Sequence, residues 1–166
     1  MGFIEGLLLA ACKIASLRVE RNVGGVHIQA VSVEDTWARL KGDTRSVLID
    51  VRTIAEWAYV GLPDLSVIGK RPVLVEWQGF PDDRLNTAFV ERVTEALNPL
   101  GADRDSELLF ICRSGQRSLK AARAMTEAGY TRCLNVTDGF EGPLDPSRHR
   151  GTLGGWKAKG LPWAQG

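Results

Sequence analysis

Short apolar runs alternate with helix-spaced apolar residues along the chain from about His27 onward. The runs at 46–51 and 107–111 are apolar over the length of a strand, which is typical of strands buried on both faces. The run at 73–77 predicts another such strand, and 132–136 is a further candidate. Because these strands alternate with helical patterns, the sequence predicts an α/β domain with a mainly parallel sheet.

The helices between the strands are marked by residues that start and stop them. Ser32 and Asn86 are placed as N-caps of two helices, and a third helical pattern covers 117–128. Pro99 and Gly129 are expected to end the second and the third. The glycine- and proline-rich end of the chain predicts turns with a short helix near its Gly-Trp pair.

Composition narrows the class of protein. The chain has 166 residues, 44% of them hydrophobic, and a formal charge of +1, so no global field favours a nucleic-acid or membrane partner. Three cysteines do not make a disulfide framework, and the apolar stretches are too short to span a membrane. We therefore expect a cytoplasmic domain.

Residues 1–25 are expected to form an extension ahead of a domain at 26–166. Phe3, Leu7, Ile14 and Leu17 repeat at helical spacing, which favours a short amphipathic helix followed by a polar linker. The alternative is a lipoprotein cleavage box ending at Cys12, but the segment lacks the basic start that a signal peptide needs.

One strand-to-helix junction carries the candidate chemistry. Cys112 follows the apolar run at 107–111, and the next residues before and into the helix are Arg113, Ser114, Gly115, Gln116, Arg117 and Ser118. If these residues curl around the sulfur, their backbone N–H groups form an anion-binding nest at the positive end of a helix. Two arginines add positive charge, so the thiolate of Cys112 is expected to be a nucleophile near neutral pH. The alternative, an inert core cysteine, does not explain so polar a loop.

Other polar residues are assigned supporting or structural places. Asp50 and Arg52, at the end of a buried strand, are expected to form an ion pair, and Arg52 or Glu56 to hold nearby loops. Trp77 is a possible pocket wall, with core packing as the alternative. Cys133 begins a parallel strand far from Cys112 along the sheet, so no disulfide between them is expected.

No metal site is expected, because neither histidine has further metal-binding residues at ligand spacing.

Three segments, in order, resemble the rhodanese family, the thiosulfate sulfurtransferases. Cys112-Arg-Ser-Gly-Gln-Arg-Ser118 is similar to its Cys-x-x-Gly-x-Arg-Ser/Thr loop, and Leu48-Ile-Asp-Val-Arg52 with Glu56-Trp57 to its Leu-x-Asp-x-Arg…Glu-Trp/Phe segment. Gly155-Trp156 and Gly160-Leu-Pro162 are similar to its closing Trp…Gly-Leu-Pro. The resemblance implies a three-layer sandwich around a five-stranded parallel sheet and a cysteine that carries sulfur as a persulfide, without a cofactor.

The chain departs from this family pattern at two places. After Trp57, where the family usually has Gly-His-Ile-Pro-Gly-Ala, the chain has Val60-Gly-Leu-Pro-Asp-Leu65. The Gly-x-Pro skeleton is kept without the histidine, so the pocket rim is expected to differ. Residues 141–154 are an insertion, which we expect to be a surface loop, the alternative being a place beside the site.

The resulting hypothesis is a sulfurtransferase that moves sulfur from thiosulfate or a similar small donor to a thiol or cyanide, or to a protein acceptor. An alternative is a binding or regulatory module, or a persulfide carrier for a partner protein. A phosphatase or arsenate reductase is disfavoured, because such enzymes carry Cys-x5-Arg. Here Ser118 takes that place and the arginine is Arg117, one position earlier.

Overall fold

A parallel five-stranded sheet lies at the centre of the computed structural model, which describes residues 25–166. Its strands are β1 (Gln29–Val31), β2 (Val47–Asp50), β4 (Val73–Leu74), β5 (Leu108–Ile111) and β6 (Cys133–Val136). A separate antiparallel pair is formed by β3 (Leu62–Pro63) and β7 (Trp163–Ala164). The order β1-β6-β5-β2-β4 places β5 at the centre, so the predicted parallel sheet is confirmed.

Within residues 25–166, five α-helices connect and cover the strands. Ser32 caps the first, its side-chain oxygen accepting the Asp35 N–H at 3.0 Å. Thr53 caps the second through a reciprocal capping box with Glu56. The Asn86 side chain accepts the N–H of Ala88 just before the third helix. The helices are α1 (Val33–Gly42), α2 (Ile54–Val60), α3 (Phe89–Leu97), α4 (Gln116–Glu127) and α5 (Gly155–Ala158).

Alternate residues of the central strands enter two separate hydrophobic layers, which confirms the three-layer sandwich. Ile49 and Phe110 pack toward α3 and α4, in a layer that includes Val93 and Met125. Leu48, Leu109 and Ile111 pack on the other side of the sheet, in a layer with Leu40, Phe140 and Trp156. The polar junction after β5 is therefore held between two packed layers.

Several parts of the fold differ from the sequence prediction. Strand β1 and helix α2 were not predicted from the apolar pattern, and the N-cap of α3 is Ala88 rather than Asn86. The run at 73–77 is an edge strand rather than a strand buried on both faces, and Leu74 is 40% exposed. Its pairing continues past β4, since the N–H groups of Val75 and Trp77 donate to the carbonyls of Asp50 and Val51. The β3–β7 pair was not predicted, because two-residue strands carry no periodicity.

The predicted extension at 1–25, with its helix and linker, lies outside the described residues except for Gly25. Within residues 25–166, no helix has the length and apolar character that crossing a membrane requires.

Candidate functional site

Cys112 lies directly after the central strand β5, at the carboxyl edge of the sheet, and α4 begins at Gln116. Its Sγ accepts the backbone N–H of Gly115 at 3.1 Å, so the chain curls around the sulfur. Gly115 has φ 95°, in the left-handed region that glycine adopts at little cost. Cys112 is only 1% exposed, and its sulfur is therefore enclosed at the base of this loop.

The first turn of α4 presents backbone N–H groups beside this sulfur. No side chain caps the helix, and within the described part of the chain the N–H groups of Gln116, Arg117 and Ser118 have no backbone acceptor. The helix runs for 12 residues, so its N-terminus carries a partial positive charge. Such an end binds an anion well.

The outer side of the loop is held by the segment that follows β6. The Phe140 N–H donates to the Cys112 carbonyl at 2.8 Å, and the Glu141 N–H donates to the Arg113 carbonyl at 3.0 Å. Gly139, with φ 62°, comes so close that a Cβ there would overlap the carbonyl oxygen of Cys112. These contacts turn two loop carbonyls toward 139–141, away from the sulfur.

The insertion at 141–154 begins at this same anchor. Its outer residues are exposed, as expected of a surface loop, and Asp145 closes it by accepting the His149 N–H and the Thr152 hydroxyl. Its first residues, however, bond to the Arg113 carbonyl. The insertion is thus a surface loop whose base forms one wall of the site loop.

Arg117 and Glu56 form a two-pronged ion pair between α4 and α2. Arg117 Nη1 and Nη2 donate to the two Glu56 oxygens at 2.8 and 2.6 Å. Burial alone raises the pKa of Glu56, but the Arg117 hydrogen bonds and the Thr53 N–H outweigh it and lower that pKa from 4.5 to about 2. Burial lowers the pKa of Arg117, and its bonds to Glu56 reverse this and raise it overall. Arg117 therefore fastens the loop to α2.

Asp50 and Arg52 form an ion pair that is sealed from solvent, with both side chains 0% exposed and 2.6 Å between Nη2 and Oδ2. The same Nη2 donates to the Gly61 carbonyl at 2.8 Å, and the guanidinium lies 4.0 Å from the centroid of the Phe140 ring. The pair connects the end of β2 to the α2–β3 corner and to the residue that holds the Cys112 carbonyl. Both side chains are enclosed, so neither is exposed to a bound substrate.

Ser118 and Asn135 lie on the inner side of the loop. Ser118 Oγ is 3.3 Å from Cys112 Sγ and 2.7 Å from Asn135 Oδ1. Both residues are buried. Asn135 was not singled out from the sequence, although a polar residue inside an apolar strand is a sign of a specific partner.

The remaining loop residues face outward or pack in the core. Arg113 and Gln116 are exposed and Ser114 is half-buried. Within residues 25–166, Arg113 takes part in no ion pair. Trp77 packs edge-on against Phe89, 5.0 Å between ring centroids, which is the core packing that the sequence offered as the alternative to a pocket wall.

Cys133 lies at the opposite end of the sheet. Its register partner is Leu108, the first residue of β5, whereas Cys112 follows the last. At about 3.3 Å per residue the two sulfurs are too far apart for a disulfide, and both cysteines are free. Burial raises the pKa of the Cys133 thiol to about 11, so it stays protonated and unreactive at neutral pH.

Comparison with known proteins places this arrangement in a family. The family model described as the STR4 middle domain matches residues 28–166. The crystal structure of Rv0390 from M. tuberculosis is 44% identical with a TM-score of 0.76, covering 84% of this chain and 99% of that one. The Arabidopsis thaliana protein Thiosulfate sulfurtransferase 18 is 33% identical over 120 residues, 72% of this chain and 82% of its own length.

A fold likeness extends to the polysulfide-sulfur transferase homodimer of Wolinella succinogenes, with a TM-score of 0.52 at 19% identity, covering 84% of this chain and 80% of that one. The chain belongs to the rhodanese-like family of sulfurtransferase-type domains, as its motifs indicated. Within this family it matches the STR4 middle domain over nearly the whole described region.

Proposed function

We propose that the protein transfers sulfane sulfur from thiosulfate, or a donor of the same chemistry, to a thiophilic acceptor through a persulfide on Cys112. The observation that carries this proposal is the place of Cys112 Sγ, enclosed by its loop beside first-turn N–H groups of α4 that have no backbone acceptor within the described residues. These groups stabilise a negative charge on the sulfur and on a second sulfur bound to it.

The reaction is a double displacement. The Cys112 thiolate attacks the outer sulfur of thiosulfate, a new S–S bond forms, and the old S–S bond breaks with its electron pair leaving on sulfite. An acceptor such as cyanide then attacks the outer sulfur of the persulfide, and the bonding electrons return to Cys112 as thiolate. Neither step needs an external oxidant or reductant, and in each step the loop N–H groups stabilise the negative charge on sulfur.

The two loop arginines take different parts in this reaction. The Arg117 guanidinium donates two hydrogen bonds to Glu56 and thereby fixes the conformation of the loop. Arg113 is exposed and forms no ion pair within the described chain, so it supplies the exposed positive charge that attracts a dianionic donor.

Intact mass spectrometry tests the proposal directly. After incubation with thiosulfate and desalting, the protein should gain one sulfur atom, and cyanide should remove it with release of thiocyanate. Cys112→Ser should abolish the gain, while the matched variant Cys133→Ser should retain it. Sulfur that remains in Cys112→Ser, or that maps to another cysteine, contradicts the proposal. A stable persulfide that cyanide does not remove would identify a sulfur carrier for a partner protein rather than a thiosulfate:cyanide enzyme.

A further inference from the structure

A buried amide lies behind the hydroxyl that contacts the nucleophile. Asn135 is the third residue of β6 and is 6% exposed, in a strand whose other residues are Cys133, Leu134 and Val136. In the sheet register it stands beside Phe110, which lies two residues before Cys112. Its side chain therefore points to the same face of the sheet as Cys112, under the first turn of α4.

The hydroxyl of Ser118 has two neighbours but one proton. Its Oγ lies 2.7 Å from Asn135 Oδ1 and 3.3 Å from Cys112 Sγ, and both distances fit a hydrogen bond from Ser118. A serine hydroxyl donates only once, so a proton given to Asn135 is withheld from the sulfur. The partner of Ser118 thus decides what Ser118 offers to Cys112.

We propose that Asn135 is a positioning residue that holds the Ser118 hydroxyl against Cys112 and, by the orientation of its amide, directs the Ser118 proton toward or away from the sulfur. With Oδ1 facing Ser118, the hydroxyl donates to Asn135 and its lone pairs can accept a proton from the thiol. Half a turn of the amide brings Nδ2 to Ser118, and the hydroxyl then donates to a thiolate or persulfide sulfur. The amide of Asn135 thus offers both an acceptor and a donor at this place.

The effect of the Asn135 amide on the Ser118 proton does not depend on a direct contact with the charged groups around the site. The charged groups of the elements around Cys112 include Arg117 and Glu56 on α4 and α2, the Asp50–Arg52 pair, Arg113 in the loop, and Asp138 and Glu141 after β6. Further along α4 lie Lys120, Arg123 and Glu127. None of them forms a hydrogen bond with Ser118 or Asn135 within the described residues. Substituting Asn135 leaves all of these charges in place.

The test measures the alkylation rate of Cys112 by iodoacetamide across pH, quantified on its own peptide. Asn135→Ala should slow alkylation at neutral pH by about tenfold, the scale of one hydrogen bond to a charged group, and move the pH profile upward. The reason is that the Ser118 hydroxyl loses both the contact that holds it against the sulfur and the Nδ2 donor that turns its proton toward a thiolate. Asn135→Asp, of nearly the same shape, should move it further, because an ionised carboxylate only accepts and adds negative charge. Cys133→Ala, on the same strand, should leave the profile unchanged.

A double-mutant cycle separates this role from simple packing. Ser118→Ala should resemble Asn135→Ala, and the double variant should be no slower than Ser118→Ala alone, since Asn135 acts through Ser118. An effect of Asn135→Ala that persists in full without Ser118, or an unchanged profile in Asn135→Asp, overturns the inference. Should Asn135→Ala fail to fold, Asn135→Leu decides the same point with and without Ser118, because leucine is close to asparagine in size, carries no charge and cannot hydrogen-bond to the hydroxyl.

The inference rests on Cys112 being the nucleophile of the proposed function, and the two can fail separately. Persulfide formation from thiosulfate in the unsubstituted protein tests the proposed function. The alkylation profile tests Asn135 without any sulfur donor. A protein that forms the persulfide but shows no dependence on Asn135 contradicts only the inference.

Discussion

The carboxylate of Glu56 accepts hydrogen bonds from two nitrogens of Arg117, at 2.8 and 2.6 Å, although the two residues are 61 positions apart in the chain. The contact ties the first turn of α4, which encloses the sulfur, to the capping box of α2. An arginine held in this way cannot also point its paired nitrogens at a bound donor. The geometry explains why this loop position is an arginine. A planar guanidinium donates two parallel hydrogen bonds to one carboxylate, and a lysine ammonium cannot make both.

Replacing this arginine by lysine should reduce kcat/KM for thiosulfate by about tenfold or more, on the order of 1.4 kcal/mol. The reason is that one ammonium cannot make both bonds to Glu56, so the first turn of α4 loses its fixed orientation around Cys112. Arg123→Lys is the control, since Arg123 is exposed on the same helix. Steady-state kinetics of both variants measure the difference. Equal values would show that the Glu56–Arg117 contact does not shape the loop.

Replacing Arg113 by glutamine should weaken the binding of thiosulfate rather than change the conformation of the loop. We expect KM for thiosulfate to rise several-fold with kcat little changed, because an exposed charge attracts the donor before the chemistry begins. The salt dependence of kcat/KM should become shallower in Arg113→Gln, since screening then has less attraction to remove. Arg123→Gln controls for the loss of net charge. A fall in kcat without a change in KM would contradict this division of roles.

The ion pair also predicts how stability depends on pH. The pKa of Glu56 is lowered from 4.5 to about 2 in the folded protein, so its contribution is complete above about pH 4.5 and is lost as the pH falls toward 2. Glu56→Gln should lower the free energy of unfolding at pH 7, on the order of 2–3 kcal/mol, and should flatten its decline across that acid range. Denaturant titrations at several pH values measure this. Glu95→Gln, at an exposed position on α3, should leave the acid dependence unchanged.

Gly139 provides a test of the outer anchor. Gly139→Ala meets two costs, a left-handed backbone at φ 62° and an overlap with the Cys112 carbonyl. Gly101→Ala is a matched control, because its φ is 66° and nothing lies within 4 Å of the new Cβ. Both variants should lose about 1–2 kcal/mol from the backbone term, but only Gly139→Ala should also slow persulfide formation. Similar rates in the two variants would show that 139–141 does not set the loop.

Three strands of the sheet could be predicted from the sequence, because β2, β5 and β6 are mainly apolar runs of strand length. The cap at Ser32 could be predicted as well, because it uses a local hydrogen bond. The Cys112 loop could also be predicted, because its polar residues follow directly after the apolar run of β5. Contacts between distant segments could not. Nothing in the sequence near Asn135 or Phe140 shows that these residues face Ser118 and Cys112, since that depends on the register of β6 with β5.

The size of the loop predicts which anion it accepts. From Cys112 the arginine comes after four residues, and its guanidinium is bound to Glu56 rather than directed at the sulfur. A tetrahedral oxyanion needs donors for three equatorial oxygens, which in the Cys-x5-Arg loops of phosphatases include the arginine. In this loop some oxygens of such an ion would lack a hydrogen-bond donor in an enclosed site. The energetic cost of those missing hydrogen bonds should exclude tetrahedral oxyanions as substrates.

We therefore expect transfer of sulfur from thiosulfate, with negligible hydrolysis of aryl phosphates and no reduction of arsenate. Assays of the unsubstituted protein with each substrate under the same conditions measure this selectivity. Phosphatase turnover comparable with sulfur transfer would contradict the argument from loop size. A variant with one glycine inserted between Gly115 and Gln116 gives the complementary test. It should displace the first turn of α4 from the sulfur, and thereby abolish persulfide formation, while its thermal unfolding stays cooperative, because the added residue lies in the loop and not in a packed layer.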